Sequence, residues 1–357
     1  MRKSLWLIGI LLVVPVIVFL GLLFIKSTRL NLYNKHLHDF TAPVISVSAP
    51  INKEGRPAIY SLAPCPDDQL YTRVQPDIKK GFHWPYYLYI PKNSSNKKMK
   101  YLLVMPNNSG FANDNLVAHE SAVVNDLRGI GATIAEQLET PLLIPVFPRL
   151  QKYENLYTHA LDRDSLTTGI EGLKRIDRQL ISMIDDARGR MKPKGLVLNE
   201  KVLMAGFSAS GMFVNRFAIL HPERVRAAAV GAPGGWPIAP VSEYRGQTLR
   251  YPIGVADIEK LTGRKFALEA FQKVPLYFYI GSLDRNDSVP FDDSYDSEDR
   301  AVINDNFGKT PLKRWPFAEN IYKSKYCSAK FVVYPLVGHE ITAMMGKDII
   351  QFFKKYK

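Results

Sequence analysis

The sequence predicts an α/β protein in which a mostly parallel sheet carries helices on both faces and follows one apolar N-terminal helix. Strand-length apolar runs alternate with amphipathic segments of helix length from residue 78 to the end, which is typical of that architecture. Residues 5–25 contain no charged side chain. The chain has 357 residues, of which 46% are hydrophobic and 23% charged, so we expect a sizeable buried core.

The predicted strands are apolar runs bounded by turn residues. They lie at residues 84–90, 100–105, 141–146, 201–206, 225–230, 275–280 and 330–334. The predicted helices have apolar residues recurring at spacings of three and four. The clearest lie at residues 120–137, 169–188, 211–220 and 341–355.

The N-terminal apolar stretch predicts a membrane anchor over residues 1–26. Its uncharged run, residues 5–25, is flanked by basic residues and is long enough to span a bilayer as a helix. A cleaved signal peptide is disfavoured, because no small-residue cleavage site follows the run. Residues 27–77 are rich in Pro, Asn and Ser and are interpreted as a tether to a globular domain at 78–357. The flanking charges do not fix the orientation. We expect an extracytoplasmic domain, because a short basic N-terminus usually stays in the cytoplasm.

The positive charge of the chain does not indicate a nucleic-acid-binding protein. Its formal net charge is +13, but the 47 lysines and arginines are dispersed in small groups rather than arranged along a basic helix or an aromatic RNA-binding strand. A solvated surface, or one attracted to anionic lipid headgroups, is the interpretation we favour.

Cofactor and metal motifs are missing from the sequence. It contains no H-E-x-x-H, no paired C-x-x-C and no phosphate-binding G-x-x-x-x-G-K-[ST], so neither a cofactor nor a metal is predicted. His36 and His38 lie close to the predicted anchor and are interpreted as interfacial residues. Cys65 and Cys327 predict either one disulfide in an oxidising compartment or two buried thiols, and both alternatives stay open.

The segment Gly206-Phe207-Ser208-Ala209-Ser210-Gly211 joins a predicted strand to a predicted helix. A hydroxyl nucleophile at such a turn needs small neighbours two positions away on each side, because the backbone is tight there. Gly206 and Ser210 meet this need for Ser208, whereas Met212 fails it if Ser210 is taken as the centre. We therefore predict Ser208 as the nucleophile. The alternative is a serine that only caps a helix.

An acid and a base follow Ser208 in the chain order nucleophile, acid, histidine. Asp284 and His339 each come directly after a predicted strand, which places them at the carboxyl edge of a parallel sheet. His339 would take the Ser208 proton and return it to the leaving group, while Asp284 would orient the imidazole. Three further carboxylates are rivals for the acid: Asp287, Asp292 and Asp293.

An oxyanion would need two preorganised donors. The N–H of Ala209, directly after the nucleophile, is predicted as one of them. The second is expected from the loop after the strand at 100–105, from either Asn108 or Ser109. An Asn-Ser-Gly turn without a chemical role is the alternative interpretation of that loop.

From about Gly81 to its end, the chain resembles the α/β-hydrolase superfamily. Residues 206–211, followed by Arg216-Phe217 and the run His221-Pro222-Glu223-Arg224-Val225, are similar to the esterase and polyhydroxybutyrate-depolymerase-like branch. This resemblance implies a serine esterase without a cofactor that uses Ser208, Asp284 and His339, but the substrate of that branch does not transfer to this chain. We expect the substrate to be a small-molecule or polymer ester.

Other functions remain compatible with the sequence. The same three residues would suit a peptidase or an acyltransferase, and a non-catalytic binding protein could keep the fold without turnover. The insertion at 234–271 predicts a lid or a pocket wall. Its aromatic residues Trp236, Tyr244 and Tyr251 indicate either an apolar or sugar-binding pocket or internal packing.

Overall fold

The computed structural model describes residues 71–91, 94 and 100–357. The anchor predicted at 1–26, most of the tether, the histidine pair near the anchor and Cys65 lie outside these residues, so the disulfide and the anchor stay predictions. Within the described ranges, no helix combines the length and hydrophobicity that a membrane crossing requires.

One sheet of eight strands forms the centre of the described domain. The strands of the described residues are β1 (Tyr71–Val74), β2 (Tyr86–Tyr89), β3 (Lys100–Val104), β4 (Leu142–Pro145), β5 (Leu198–Phe207), β6 (Val225–Gly231), β7 (Glu243–Tyr244), β8 (Gln247–Thr248), β9 (Leu276–Gly281) and β10 (Ala329–Tyr334). The helices are α1 (Leu116–Arg128), α2 (Ile130–Leu138), α3 (Arg163–Thr167), α4 (Ile176–Met191), α5 (Ala209–Leu220), α6 (Ile258–Thr262), α7 (Leu268–Gln272), α8 (Ser297–Phe307), α9 (Pro311–Ser324) and α10 (Ala343–Lys354).

The large sheet has the order β1-β2-β4-β3-β5-β6-β9-β10, and β7 pairs separately with β8. From β4 to β10 the neighbouring strands are parallel, whereas β1, β2 and β4 pair antiparallel. The predicted mostly parallel sheet is therefore confirmed, and the carboxyl ends of its parallel strands share one edge.

Both faces of the sheet are buried against helices. Along β5, Val202 and Met204 join a core that also contains α4, α5 and α9, while Leu203 and Ala205 join a second core with α1, α2 and α10. This alternation follows from the twofold side-chain period of a strand. It also explains the continuous apolar runs of the sequence, which are typical of strands covered on both sides.

The structure differs most from the predicted elements in three places. β1 lies within residues 27–77, the segment interpreted as a tether. The helix expected at 120–137 is interrupted at Gly129. Its second half lies close to β4, since a Cβ atom on Gly131 would lie 3.1 Å from Cδ2 of Leu142. The helix expected from residue 169 begins only at Ile176, after Arg175 adopts a left-handed conformation with φ of 50°.

The insertion at 234–271 packs against α8 through its aromatic side chains. Trp236 stacks on Phe307 with a centroid distance of 4.0 Å, and its indole N–H donates to the Ile253 carbonyl. Tyr251 is fully buried and donates to the Leu161 carbonyl. Of the two interpretations of these aromatics, internal packing is the one observed for Trp236 and Tyr251.

Candidate active site

Ser208 lies between the end of β5 and the start of α5, with φ of 60° and ψ of −125°. A non-glycine residue adopts such a conformation only when its surroundings enforce it. The flanking glycines show how tight the turn is. A Cβ atom on Gly206 would lie 2.3 Å from the Ser210 carbonyl oxygen, and one on Gly211 would lie 2.4 Å from the Gly231 carbonyl oxygen. The small neighbours of Ser208 are therefore required by close backbone contacts.

Ser210, the alternative nucleophile, has a different role in the turn. Its hydroxyl lies 2.9 Å from both the backbone N and the carbonyl O of Phe207, and its side chain is buried. The Ser210 hydroxyl thus closes the turn internally. Ser208 is only partly buried, which leaves its hydroxyl the more accessible of the two.

The structure brings Asp284 and His339 into direct contact. His339 Nδ1 lies 2.9 Å from Asp284 Oδ2, and the backbone N–H of Asn286 donates to Asp284 Oδ1 at 2.9 Å. Asp284 is 2% exposed, so its two oxygens accept these hydrogen bonds away from solvent. Because Nδ1 faces the carboxylate, Nε2 is the ring nitrogen left for a proton from a hydroxyl.

The Ser208 hydroxyl is not hydrogen-bonded to His339 in this structure. Its Oγ lies 3.4 Å from Asn286 Nδ2 instead, and the His339 ring packs against Phe207 with a centroid distance of 4.7 Å. Hydrogen bonds between a nucleophile and its base are often long or unformed before substrate binds. The geometry therefore places the three predicted residues at one edge, with the acid and base already paired.

The three rival carboxylates do not contact His339. Each pairs with an arginine: Asp287 with Arg314, Asp292 with Arg300, and Asp293 with Arg149. Arg314 is 1% exposed and also donates to the Gly308 and Gly235 carbonyls, so its pair with Asp287 belongs to the packing of the loop after β9. Asp284 is the acid that the geometry favours.

Close backbone contacts join the loop after β9, which carries Asp284, to the loop after β10, which carries His339. The N–H of Leu283 donates to the Val337 carbonyl at 2.8 Å, and the Ser282 hydroxyl accepts from the Leu336 N–H at 2.8 Å. A Cβ atom on Gly281 would lie 2.2 Å from the Val337 carbonyl oxygen. Asp284 and His339 are therefore fixed relative to each other by their backbones.

The predicted oxyanion donors lie on the same edge of the sheet. Ala209 is the first residue of α5, and the N–H groups of a first helical turn have no acceptor within the helix. The Asn108 side chain accepts from the Gly110 N–H, and the Ser109 hydroxyl donates to the Phe111 carbonyl. The Asn108 side-chain oxygen and the Ser109 hydroxyl are thus engaged near their own loop, so the donors that this loop can still offer are the Asn108 side-chain NH₂ group and backbone N–H groups.

Asn107 is a buried residue of this edge that the sequence did not reveal. It is 1% exposed, and its carboxamide bonds both the N–H and the carbonyl of Phe147, which follows β4. The His159 Nε2 lies 2.8 Å from the same carbonyl, and burial lowers the pKa of His159 to about 3. These contacts hold the loop after β3, from which the second oxyanion donor is expected, against the loop after β4. The signal that the sequence offers, a polar residue two positions after an apolar strand, does not distinguish Asn107 from other loop asparagines.

The architecture of the described domain is similar to that of known proteins. No family model matches the chain, and no curated protein matches its sequence. The solved structure of poly(aspartic acid) hydrolase-1 from Sphingomonas sp. KT-1 matches at a TM-score of 0.50 and 16% identity, covering 77% of this chain and 94% of that one. A poly(3-hydroxybutyrate) depolymerase from Bordetella parapertussis matches at 0.50 and 17%, covering 80% and 90%. At these identities the likeness concerns the fold, and the described domain has the α/β-hydrolase fold.

Proposed function

We propose that the protein is a serine hydrolase that cleaves carboxylic esters through an acyl-enzyme on Ser208. The observation that carries the proposal is the buried Asp284 carboxylate bonded to His339 Nδ1, beside a serine held in a strained turn between strand and helix. A serine or a histidine alone would not indicate catalysis. Together, Ser208, His339 and Asp284 supply a nucleophile, a base and an orienting acid.

In the proposed reaction, His339 Nε2 takes the Ser208 proton while Oγ attacks the ester carbonyl carbon. The tetrahedral intermediate then expels the alcohol, which receives its proton from the His339 imidazolium. Water repeats the sequence on the acyl-enzyme and releases the carboxylic acid. Asp284 stabilises the imidazolium in both halves of the cycle, because its carboxylate accepts a hydrogen bond from the Nδ1–H group of His339.

The oxyanion is proposed to bind between the N–H of Ala209 and a backbone N–H of the loop that contains Asn108. The positive end of the α5 dipole also points toward this position, which favours a developing negative charge. Asn107 supports the arrangement by holding the second loop against Phe147.

The substrate is proposed to be a small-molecule or polymer ester. The two solved structures described above are named for hydrolysis of poly(aspartic acid) and for depolymerisation of poly(3-hydroxybutyrate), and both names support a hydrolytic function on this fold. We also propose that residues 1–26 anchor the protein in a membrane with the domain outside the cytoplasm. Protease treatment of intact cells, followed by detection of the domain, tests that orientation.

Paired substrates test the proposed reaction. The full-length protein in detergent is assayed on a p-nitrophenyl ester and on the p-nitroanilide of the same acyl group, beside Ser208→Ala and His339→Ala. Ester cleavage that both substitutions abolish supports the proposal. Faster anilide cleavage would instead favour a peptidase, and a folded wild type without turnover would favour a binding protein.

A further inference from the structure

We infer that Asn286 is a further catalytic residue of this site, because its side-chain amide donates a hydrogen bond to Ser208 Oγ and assists the departure of that oxygen from the acyl-enzyme. The Asn286 Nδ2 to Ser208 Oγ distance is 3.4 Å. A carboxamide nitrogen can only donate, so the direction of this hydrogen bond is fixed. The inference rests on the proposed function of Ser208.

The backbone places the Asn286 amide at the nucleophile. The backbone N–H of Asn286 is bound to Asp284 Oδ1 at 2.9 Å, which fixes this residue next to the catalytic acid. Its side chain then extends from the loop after β9 to the turn after β5. Within the described ranges, Ser208 Oγ is the one hydrogen-bond partner of the Asn286 side chain. The following residue, Asp287, is held by Arg314 and is not free to replace it.

The amide affects the two halves of the reaction differently. A hydrogen bond accelerates a step only when it is stronger in the transition state than in the ground state. In acylation, Oγ starts as a hydroxyl that already accepts from Asn286, so little is gained. In deacylation, Oγ starts as a weakly accepting ester oxygen. When the bond between the acyl carbon and Oγ breaks, its electron pair moves to Oγ, and the hydrogen bond strengthens until His339 delivers the proton.

Deacylation then releases the carboxylic acid formed from water and the acyl group, and the Ser208 hydroxyl is restored. Atoms and charges balance without any further reactant. Asn286 carries no charge and transfers no proton in this scheme. It supplies a donor directed at an oxygen that gains negative charge, the same role that an oxyanion donor has toward the carbonyl oxygen.

The test measures kcat and the fraction of Ser208 that is acetylated at steady state. The full-length protein in detergent turns over p-nitrophenyl acetate, samples are quenched in acid, and mass spectrometry gives the acetylated fraction. In Asn286→Ala and in the isosteric Asn286→Asp, kcat is expected to fall about tenfold for the loss of one hydrogen bond, while the acetylated fraction rises. Arg285→Ala, in the exposed neighbouring position, is the matched control and should behave like the wild type.

Asn286→Asp has a second expected effect. A carboxylate beside the imidazolium favours the protonated base, so the acid limb of the pH profile for kcat should move to higher pH than in Asn286→Ala. An Asn286→Ala protein with unchanged kcat, or with lowered kcat and an unchanged or smaller acetylated fraction, would overturn the inference while leaving Ser208 as the nucleophile. An inactive wild type would instead overturn the proposed function, and this inference with it.

Discussion

Replacement of Asp284 by Asn should nearly abolish turnover while leaving the fold intact. The two oxygens of Asp284 have different partners: Oδ2 accepts from His339 Nδ1, and Oδ1 accepts from the Asn286 backbone N–H. The amide oxygen of the new asparagine must face the Asn286 N–H, so its NH₂ group faces Nδ1. His339 can accept that bond only with its proton on Nε2, which is the nitrogen needed to accept the Ser208 proton.

The expected loss in kcat is about 10³- to 10⁴-fold, because the wrong tautomer is favoured and the imidazolium loses its carboxylate. Through transition-state theory this corresponds to roughly 4 to 5.5 kcal/mol. Hydrolysis of a p-nitrophenyl ester gives kcat, and a thermal melt verifies that the variant is folded. The result should be a kinetic defect in a protein that melts close to the wild type.

Asp287→Asn is the matched control, since it removes the rival acid next along the chain. This substitution breaks the ion pair with Arg314, for which the N···O distance is 2.7 Å. The melting temperature should therefore fall, while kcat stays close to that of the wild type. The reasoning would be refuted if Asp284→Asn kept kcat within tenfold of the wild type, or if Asp287→Asn lost activity at an unchanged melting temperature.

Three further changes test the packing around the site. Gly206→Ala should cost about 1–3 kcal/mol of unfolding free energy and most of the activity, because its Cβ atom would lie 2.3 Å from the Ser210 carbonyl oxygen; denaturant melts and ester assays measure both. Arg314→Leu should cost about 3 kcal/mol, since it leaves the Asp287 carboxylate without its partner, and a denaturant melt checks this. Burial lowers the pKa of His159 from 6.5 to about 3, so between those pH values the unfolded chain binds the proton and stability falls as pH falls. The free energy of unfolding should vary less steeply with pH in His159→Gln, by about 1.4 kcal/mol per pH unit, as urea melts across this range would show.

Two of these predictions have a control elsewhere in the chain. Gly189→Ala adds a Cβ atom with no heavy atom within 4 Å, in the last turn of α4, and should be neutral or stabilising. Arg300→Ala removes an exposed ion pair with Asp292 and should change stability by less than about 1 kcal/mol. The packing account would be contradicted by a stable, active Gly206→Ala, by an Arg314→Leu no weaker than Arg300→Ala, or by a His159→Gln with an unaltered pH slope.

Much of the sheet could be predicted because strands buried on both faces have continuous apolar sequences. All seven predicted strands are present, and β5 differs mainly in beginning at Leu198 rather than at residue 201. β1 escaped prediction because its sequence, Tyr-Thr-Arg-Val, is short, partly polar and located at a sheet edge. At Gly129 the backbone leaves the helical region, with φ of −114° and ψ of −127°, and the period of the apolar residues does not encode such a break.

The site could be predicted in part for a similar reason. Ser208, Asp284 and His339 each follow a recognisable strand, and the topology of a parallel sheet brings such positions to one edge. Asn107 and Asn286 act through contacts with Phe147 and Ser208, which are 40 and 78 positions away in the chain. No local pattern marks a loop asparagine for such a role, so their contacts became visible only in the folded chain.

Covalent labelling by a fluorophosphonate, followed by peptide mapping, tests the central claim most directly. The full-length wild type is compared with Ser208→Ala, Ser210→Ala and His339→Ala. We expect one phosphonate on Ser208 in the wild type and in Ser210→Ala, and little or none in the other two variants. A folded wild type that stays unlabelled, or a label on Ser210 that survives in Ser208→Ala, would contradict the account.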